Sequence, residues 1–232
     1  MNFTSSPSQI QHMFDRIAPV YDLLNDWLSL GLHRVWKQMT VNWSNPDPAG
    51  IAIDLCCGTG DLTFLLAKKI KKGKVIGVDF SPRLLAVARE KARRRGYDKI
   101  EWLEADVLKL PFPDNSIDCI TMGYGLRNVV DIPAGMREIW RVLKPGKKAA
   151  ILDFHRPDNG WLAAAQQWYL ENIVVTAASF FGNQQDYAYI HPSIKRFPNG
   201  KQQIAIAKQI GFSQQTHYPL MGGMMGVLVL TK

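Results

Sequence analysis

Acids and glycines crowd one short stretch of the chain. Asp54 and Asp61 flank the run Cys56, Cys57, Gly58, Thr59, Gly60, and Asp79 and Asp106 follow at the ends of two later runs. Glycine lets a backbone pass close to a bound molecule. Carboxylates beside such a turn suit a ligand rich in hydroxyls, amines or positive charge. Asp79 stands about 20 residues beyond the turn, where an acid grips ribose hydroxyls in nucleotide-binding folds. Asp106 could accept from the exocyclic amine of an adenine. Further along, Arg127 and Asn128 place a planar cation next to an amide, and Tyr21, His33 and His155 are candidates for proton transfer.

A pyrophosphate ligand fits this pattern poorly. The turn reads CxGxG, without the last glycine of GxGxxG that allows close helix packing. Asp61 would also oppose a phosphate at the helix N-terminus. S-adenosylmethionine has ribose and adenine but no phosphate, and its ammonium and sulfonium groups favour nearby carboxylates such as Asp54 and Asp61.

These residues need elements to hold them. Residues 51–55 read as a strand, 60–70 as a helix, and 74–79 as a strand ending in Asp79. Ser81 and Pro82 supply an N-cap and a proline-compatible first turn for a helix reaching Arg95. Residues 100–104, 117–122 and 148–153 read as strands, and Asp131 caps a helix that ends before Lys144, Pro145 and Gly146. Such alternation implies parallel strands joined by right-handed crossovers, a doubly wound α/β domain.

Ahead of it, Phe14, Ile17, Ala18, Tyr21 and Leu24 recur at helical spacing within residues 10–37. Two or three short helices are expected there, interrupted by Pro19 and Gly31, with a linker at 45–50 that carries Pro46 and Pro48. Beyond the domain core come a helical stretch at 161–181, an irregular segment, a helix at 201–210, and strands near 213–218 and 227–231 that form a hairpin at the sheet edge. The expected organisation is an N-terminal helical lid segment at 1–46 and a domain at 47–232 with a helical insertion about 156–200.

Composition bounds the class. With 232 residues, 47% apolar and 21% charged, the chain suits one sizeable globular domain and not a disordered one. The first ten residues lack the basic and apolar regions of a signal peptide. The stretch 161–181 is broken by Gln166, Gln167, Glu171 and Asn172, which suits an amphipathic element better than a span. Cys56, Cys57 and Cys119 lack metal or disulfide spacing and read as reduced core thiols. The net charge of +8 gathers in Lys68, Lys69, Lys71, Lys72 and Lys74 and from Arg83 to Arg95, where it closes helices as a solvated face. Met221, Met224 and Met225 read as gap-filling core or tunnel lining.

The blocks LCCGTGDL (55–62), LPFPDNSIDCI (110–120), GLRNV (125–129) and YIHPSIKRFP (189–198) together resemble the UbiE/MenG quinone C-methyltransferases. The resemblance runs from about Phe14 to Leu230. It implies the seven-stranded class I S-adenosylmethionine-dependent methyltransferase fold, Rossmann-like, and C-methylation of a prenylated naphthoquinol at the last methylation of phylloquinone or menaquinone synthesis. Carried over by position, Thr59, Asp79, Asp106 and Val107 hold S-adenosyl-L-methionine, together with the turn glycines Gly58 and Gly60 and with Gly123. Tyr21, Arg127 and Asn128 face the reacting ring. Gly123 stands where bacterial members commonly have Ser, and Asp153, followed by His155, stands where many have Glu. The implied setting is cytoplasmic, with peripheral contact on an inner or thylakoid membrane, no nucleic acid, and a homodimer allowed.

Methyl transfer to carbon needs an electron-rich carbon, and a quinone ring is electron-poor. The acceptor is therefore the quinol or its phenolate, whose ortho carbon carries negative charge. Arg127, which keeps its proton in proteins, is expected to stabilise the phenolate and not to act as base. Tyr21, His33, His155 or water would receive the proton. One alternative is a methyltransferase acting on RNA or another small molecule. Against amine methylation, the fourth strand runs into Gly123, Tyr124, Gly125 and Leu126, with no acid or Asn plus double proline to hold an amine. Another is a cofactor- or quinone-binding protein without catalysis, which would not need Arg127, Asn128 and Tyr21 together.

Overall fold

The computed structural model describes residues 31–157, 159–170, 172 and 190–232. In chain order they form α1 (Leu32–Trp43), β1 (Ile51–Leu55), α2 (Asp61–Lys69), β2 (Lys74–Asp79), α3 (Pro82–Arg94), β3 (Glu101–Glu104), β4 (Ile117–Gly123), a 3-10 turn (Leu126–Asn128), α4 (Ile132–Val142), β5 (Leu143–Phe154), α5 (Gly160–Tyr169), α6 (Ile190–Arg196), α7 (Gly200–Ile210), β6 (Gln214–Leu220) and β7 (Met225–Thr231).

Seven strands lie in the order β3-β2-β1-β4-β5-β7-β6. The first five are parallel, and β7 inserts antiparallel between β5 and the edge strand β6. The strand order reverses between β1 and β4. In an open α/β sheet that switch leaves a crevice beyond the carboxyl ends of the strands, where ligands lie. Ile53, Leu55, Ile120, Met122, Met136 and Ile139 form the centre of the core, all fully buried.

Local chemistry explains the boundaries. Ser81 Oγ accepts from the Leu84 amide at 3.1 Å, with Pro82 opening α3. Asp131 accepts from the Ala134 amide at 2.9 Å to cap α4. Asn199 and Gln202 form a reciprocal capping box on α7, and Gly211 closes it in the left-handed conformation.

Four elements differ from the sequence expectation. Gly31 opens α1, which runs past Lys37 to Trp43. Its inward face holds His33, Lys37, Thr40 and Val41, and polar side chains at inward positions hide the periodicity. β5 begins at Leu143, because Leu143 pairs with Ile117 before a bulge and the ladder resumes at Lys148. The hairpin ladder continues through Pro219 and Leu220, paired with Gly226 and Met225. Proline is tolerated there because β6 is an edge strand. The segment read as irregular contains α6. α5 ends at Tyr169, and most of the expected 171–181 extension lies outside the described residues. Among the described residues no helix is long and apolar enough to cross a membrane. α1, placed by the sequence in a lid segment, packs on α2 and β5.

Candidate active site

The glycine turn after β1 is built from left-handed residues: Cys56 at φ 50°, Gly58 at 55° and Gly60 at 95°. Gly60 has a second constraint, since a Cβ there would lie 2.7 Å from the Trp102 ring. β2 holds the turn from the side. The Cys57 amide donates to Val78 O at 3.0 Å, and the Gly58 amide to Asp79 Oδ2 at 2.8 Å. Asp79 Oδ1 accepts from the Ser81 amide at 2.9 Å. Asp79 thus ties the glycine turn to the end of β2 through both carboxylate oxygens.

Beside this turn opens a cavity lined by Leu55, Val78, Phe80 and Val107 together with the polar Asp79, Asp106 and Asn128. Asp106 gives Oδ1 to the Leu108 amide at 2.9 Å. Asn128 donates Nδ2 to Tyr124 O at 3.3 Å, and its buried Oδ1 meets no donor among the described residues. Apolar walls, two carboxylates and one open amide acceptor match the chemistry of a nucleoside: flat base, ribose hydroxyls and amine donors.

The structure brings Asp79, Asp106, Val107 and Asn128 together around this cavity. Thr59 and Gly60 are buried in the turn itself, and Gly58 is half-buried. Gly123 ends β4, where a Cβ would meet Leu62 at 2.7 Å. Asp54 stands apart. Fully buried, it accepts from Thr63 Oγ1 at 2.6 Å and Thr121 Oγ1 at 2.8 Å. Burial pushes its carboxyl up to about 7, against those hydrogen bonds. Its oxygens tie β1 to α2 and β4 beneath the turn and do not line the cavity.

Asp61 accepts from Lys37 Nζ at 2.6 Å. Burial acts to raise its carboxyl, but the Lys37 charge and hydrogen bond outweigh that and hold it below the usual range.

Beyond β4, Tyr124 is left-handed at φ 60° and Gly125 crosses against Cys56, where a Cβ would lie 2.5 Å from the cysteine Cβ. This places the Leu126–Asn128 turn over the crevice. The Arg127 guanidinium, expected from the sequence to stabilise a phenolate, is anchored at Nη1. Nη1 donates to Asp153 Oδ1 at 2.6 Å and to Tyr124 O at 2.7 Å. Asp153 Oδ2 also accepts from the Arg127 amide at 3.0 Å, and the guanidinium lies 5.1 Å from the Phe154 ring centroid. Asp153 therefore clamps the turn that presents Asn128. The sequence signal for it was an acid at the carboxyl end of the fifth strand, one strand away from an arginine.

Tyr21 lies outside the described residues. His33 is buried on α1. His155 has Nδ1 3.0 Å from Asp153 O and Nε2 2.8 Å from Gln203 Nε2 and 2.9 Å from His217 Nε2. Burial lowers its pKa, and it is not among the residues lining the cavity. Burial pushes the thiols of Cys56 and Cys57 well up, so they stay neutral.

Comparison with known proteins bears on this arrangement. A 2-phytyl-1,4-naphtoquinone methyltransferase of Nostoc punctiforme is 57% identical over 97% of this chain and 99% of its own. The chloroplastic 2-phytyl-1,4-beta-naphthoquinone methyltransferase of Arabidopsis thaliana is 48% identical over 94% of this chain and 85% of its own. Among solved structures, an S-adenosylmethionine-dependent methyltransferase from Aquifex aeolicus superposes with a TM-score of 0.62 at 19% identity, covering 84% of this chain and 88% of that one. The [4+2]-cyclase SpnF superposes at 0.64 and 18% identity, covering 97% and 95%. A cyclase and a methyltransferase share the architecture, so the fold alone does not name the reaction. The model of the ubiE/COQ5 methyltransferase family matches residues 3–232, and the chain belongs to that family.

Proposed function

We propose that the chain transfers a methyl group from S-adenosyl-L-methionine to a ring carbon of 2-phytyl-1,4-naphthoquinol, the last methylation of phylloquinone synthesis. One observation carries the reading: Asp79, Asp106 and the open Asn128 acceptor line one cavity beside a clamped Arg127, in a chain 57% identical to a relative named for that substrate.

When bound, S-adenosyl-L-methionine would supply an electrophilic methyl group and leave as S-adenosylhomocysteine, and the ring carbon that takes the methyl would release its proton to water or to Tyr21. Asp79 accepts from the ribose hydroxyls and Asp106 from the adenine amine, with Val107 against the base. Gly58, Thr59 and Gly60 would allow close approach of the amino-acid portion and Asp61 would add negative charge there, while Asp54 braces the turn from below through Thr63 and Thr121. On the acceptor side, Asn128 and Tyr21 orient the quinol oxygen. Arg127 serves as a fixed positive charge, paired with Asp153, that holds Asn128 in place. Holding the acceptor carbon in attack geometry is the main task, because proximity and orientation lower the barrier more than proton transfer does. The phytyl tail implies peripheral membrane contact.

The test is direct assay of the purified protein with labelled S-adenosyl-L-methionine and the demethyl naphthoquinol. A methylated naphthoquinol, recovered as the quinone after air oxidation, is the expected product. Methyl transfer to RNA or a polar small molecule with none to the quinol would overturn the proposal.

A further inference from the structure

Helix α5 buries one glutamine and turns both of its tryptophans to the outside. Its Gln166 is buried and donates Nε2 to His155 O at 2.9 Å and Met224 O at 3.2 Å. Its two tryptophans point outward: Trp161 is 77% exposed and Trp168 60%. Seven residues of helix turn through nearly two full turns, so the two indoles stand about 20° apart on one face. Ala164 and Ala165 are exposed between them. The β6–β7 turn is seated against the same helix, since a Cβ at Gly222 would lie 3.2 Å from Leu162, and its Met221 is 53% exposed. Asn159 caps the helix through the Trp161 amide at 2.9 Å, so the face is rigidly presented.

We infer that Trp161, Trp168 and Met221 form a surface that inserts into the headgroup region of an anionic lipid bilayer. The inference rests on the quinol reading above for its reason, a prenylated acceptor that resides in lipid. Tryptophan is the side chain suited to that boundary, with a large apolar body and an N–H for the wet side. The ten residues of α5 are about 15 Å long, half of a bilayer core, and no helix among the described residues is long and apolar enough to cross a membrane, so α5 is assigned to the interface plane. Arg156, exposed three residues ahead of the Asn159 cap, is the cation nearest to the helix in the chain. Asp158 and Glu171, acids in the same stretch of sequence, offset part of that charge, so the indoles carry the larger share of binding.

The full chain is tested by co-sedimentation with phosphatidylcholine vesicles containing phosphatidylglycerol. Trp161→Gln/Trp168→Gln is expected to bind at least about tenfold more weakly than the parent. It should keep the parent's thermal unfolding and its turnover of a tail-less, water-soluble naphthoquinol, and lose turnover of vesicle-borne phytyl acceptor. Equal vesicle binding by parent and variant, or no binding by the parent, overturns the inference. So does a parent dimer that the variant converts to monomer, which would make the face a contact between copies. Tryptophan-dependent vesicle binding in a protein that methylates no quinol would uphold the surface while removing the substrate reading.

Discussion

Arg127 and Asp153 form an ion pair at 2.6 Å with side chains only 6% and 1% exposed. It joins the turn after β4 to the end of β5. Such a pair gains little over an apolar replacement of equal shape, but removing one member leaves an uncompensated buried charge.

Asp153→Leu should therefore cost about 3–5 kcal/mol of stability. Arg127→Met/Asp153→Leu should recover part of that loss, because no lone charge is left inside. Urea unfolding of the two single variants and the double closes the cycle. Costs that simply add would mean that the clamp is not an energetic unit.

Asp79→Asn should weaken binding of S-adenosyl-L-methionine, with unfolding measured beside it because the new NH2 group faces one of the two backbone amides that the carboxylate accepts from. Asn keeps one acceptor oxygen for the Gly58 or Ser81 amide but loses charge-assisted hydrogen bonding to ribose. The expected cost is about 1.5–3 kcal/mol, roughly ten- to a hundredfold in Kd. Calorimetry showing parental affinity would remove Asp79 from the site.

Asp54 makes a prediction about pH. Its carboxyl is raised from 3.8 to about 7 by burial, so between those values the folded state holds a proton that the unfolded state has lost. Stability attributable to Asp54 therefore falls as pH rises from about 4 to about 7 and is level above. Unfolding free energies at pH 5 and pH 8 should show the parent losing ground relative to Asp54→Asn as pH rises. A constant difference between them would mean that Asp54 does not titrate in this window.

Only the reduced acceptor should be methylated, since the oxidised ring offers no nucleophilic carbon. Anaerobic assays with and without dithionite decide this. Equal rates with the fully oxidised naphthoquinone would sink the phenolate mechanism.

The α/β architecture was legible in the chain itself. Apolar pentads such as 51–55, caps at Ser81 and Asp131, and acids closing successive strands are local signals, and local sterics and hydrogen bonding set them without help from distant residues. The glycine turn and Asp79 and Asp106 could be read for the same reason: topology alone delivers the carboxyl ends of parallel strands to one edge of the sheet.

Tertiary structure decided how the site's charges are spent. Asp54, Asp61 and Arg127 look equivalent in sequence as charges near a turn. Folding gives Asp54 to Thr63 and Thr121, Asp61 to Lys37, and Arg127 to Asp153. Each partner comes from a different element, up to 67 residues away in the chain for Thr121. Desolvation makes such pairings compulsory once the groups are buried, and no periodicity or motif encodes which distant group will be the partner. The outward tryptophans of α5 follow the same rule, because the inward place went to Gln166 only when His155 and Met224 supplied carbonyls for its amide to meet.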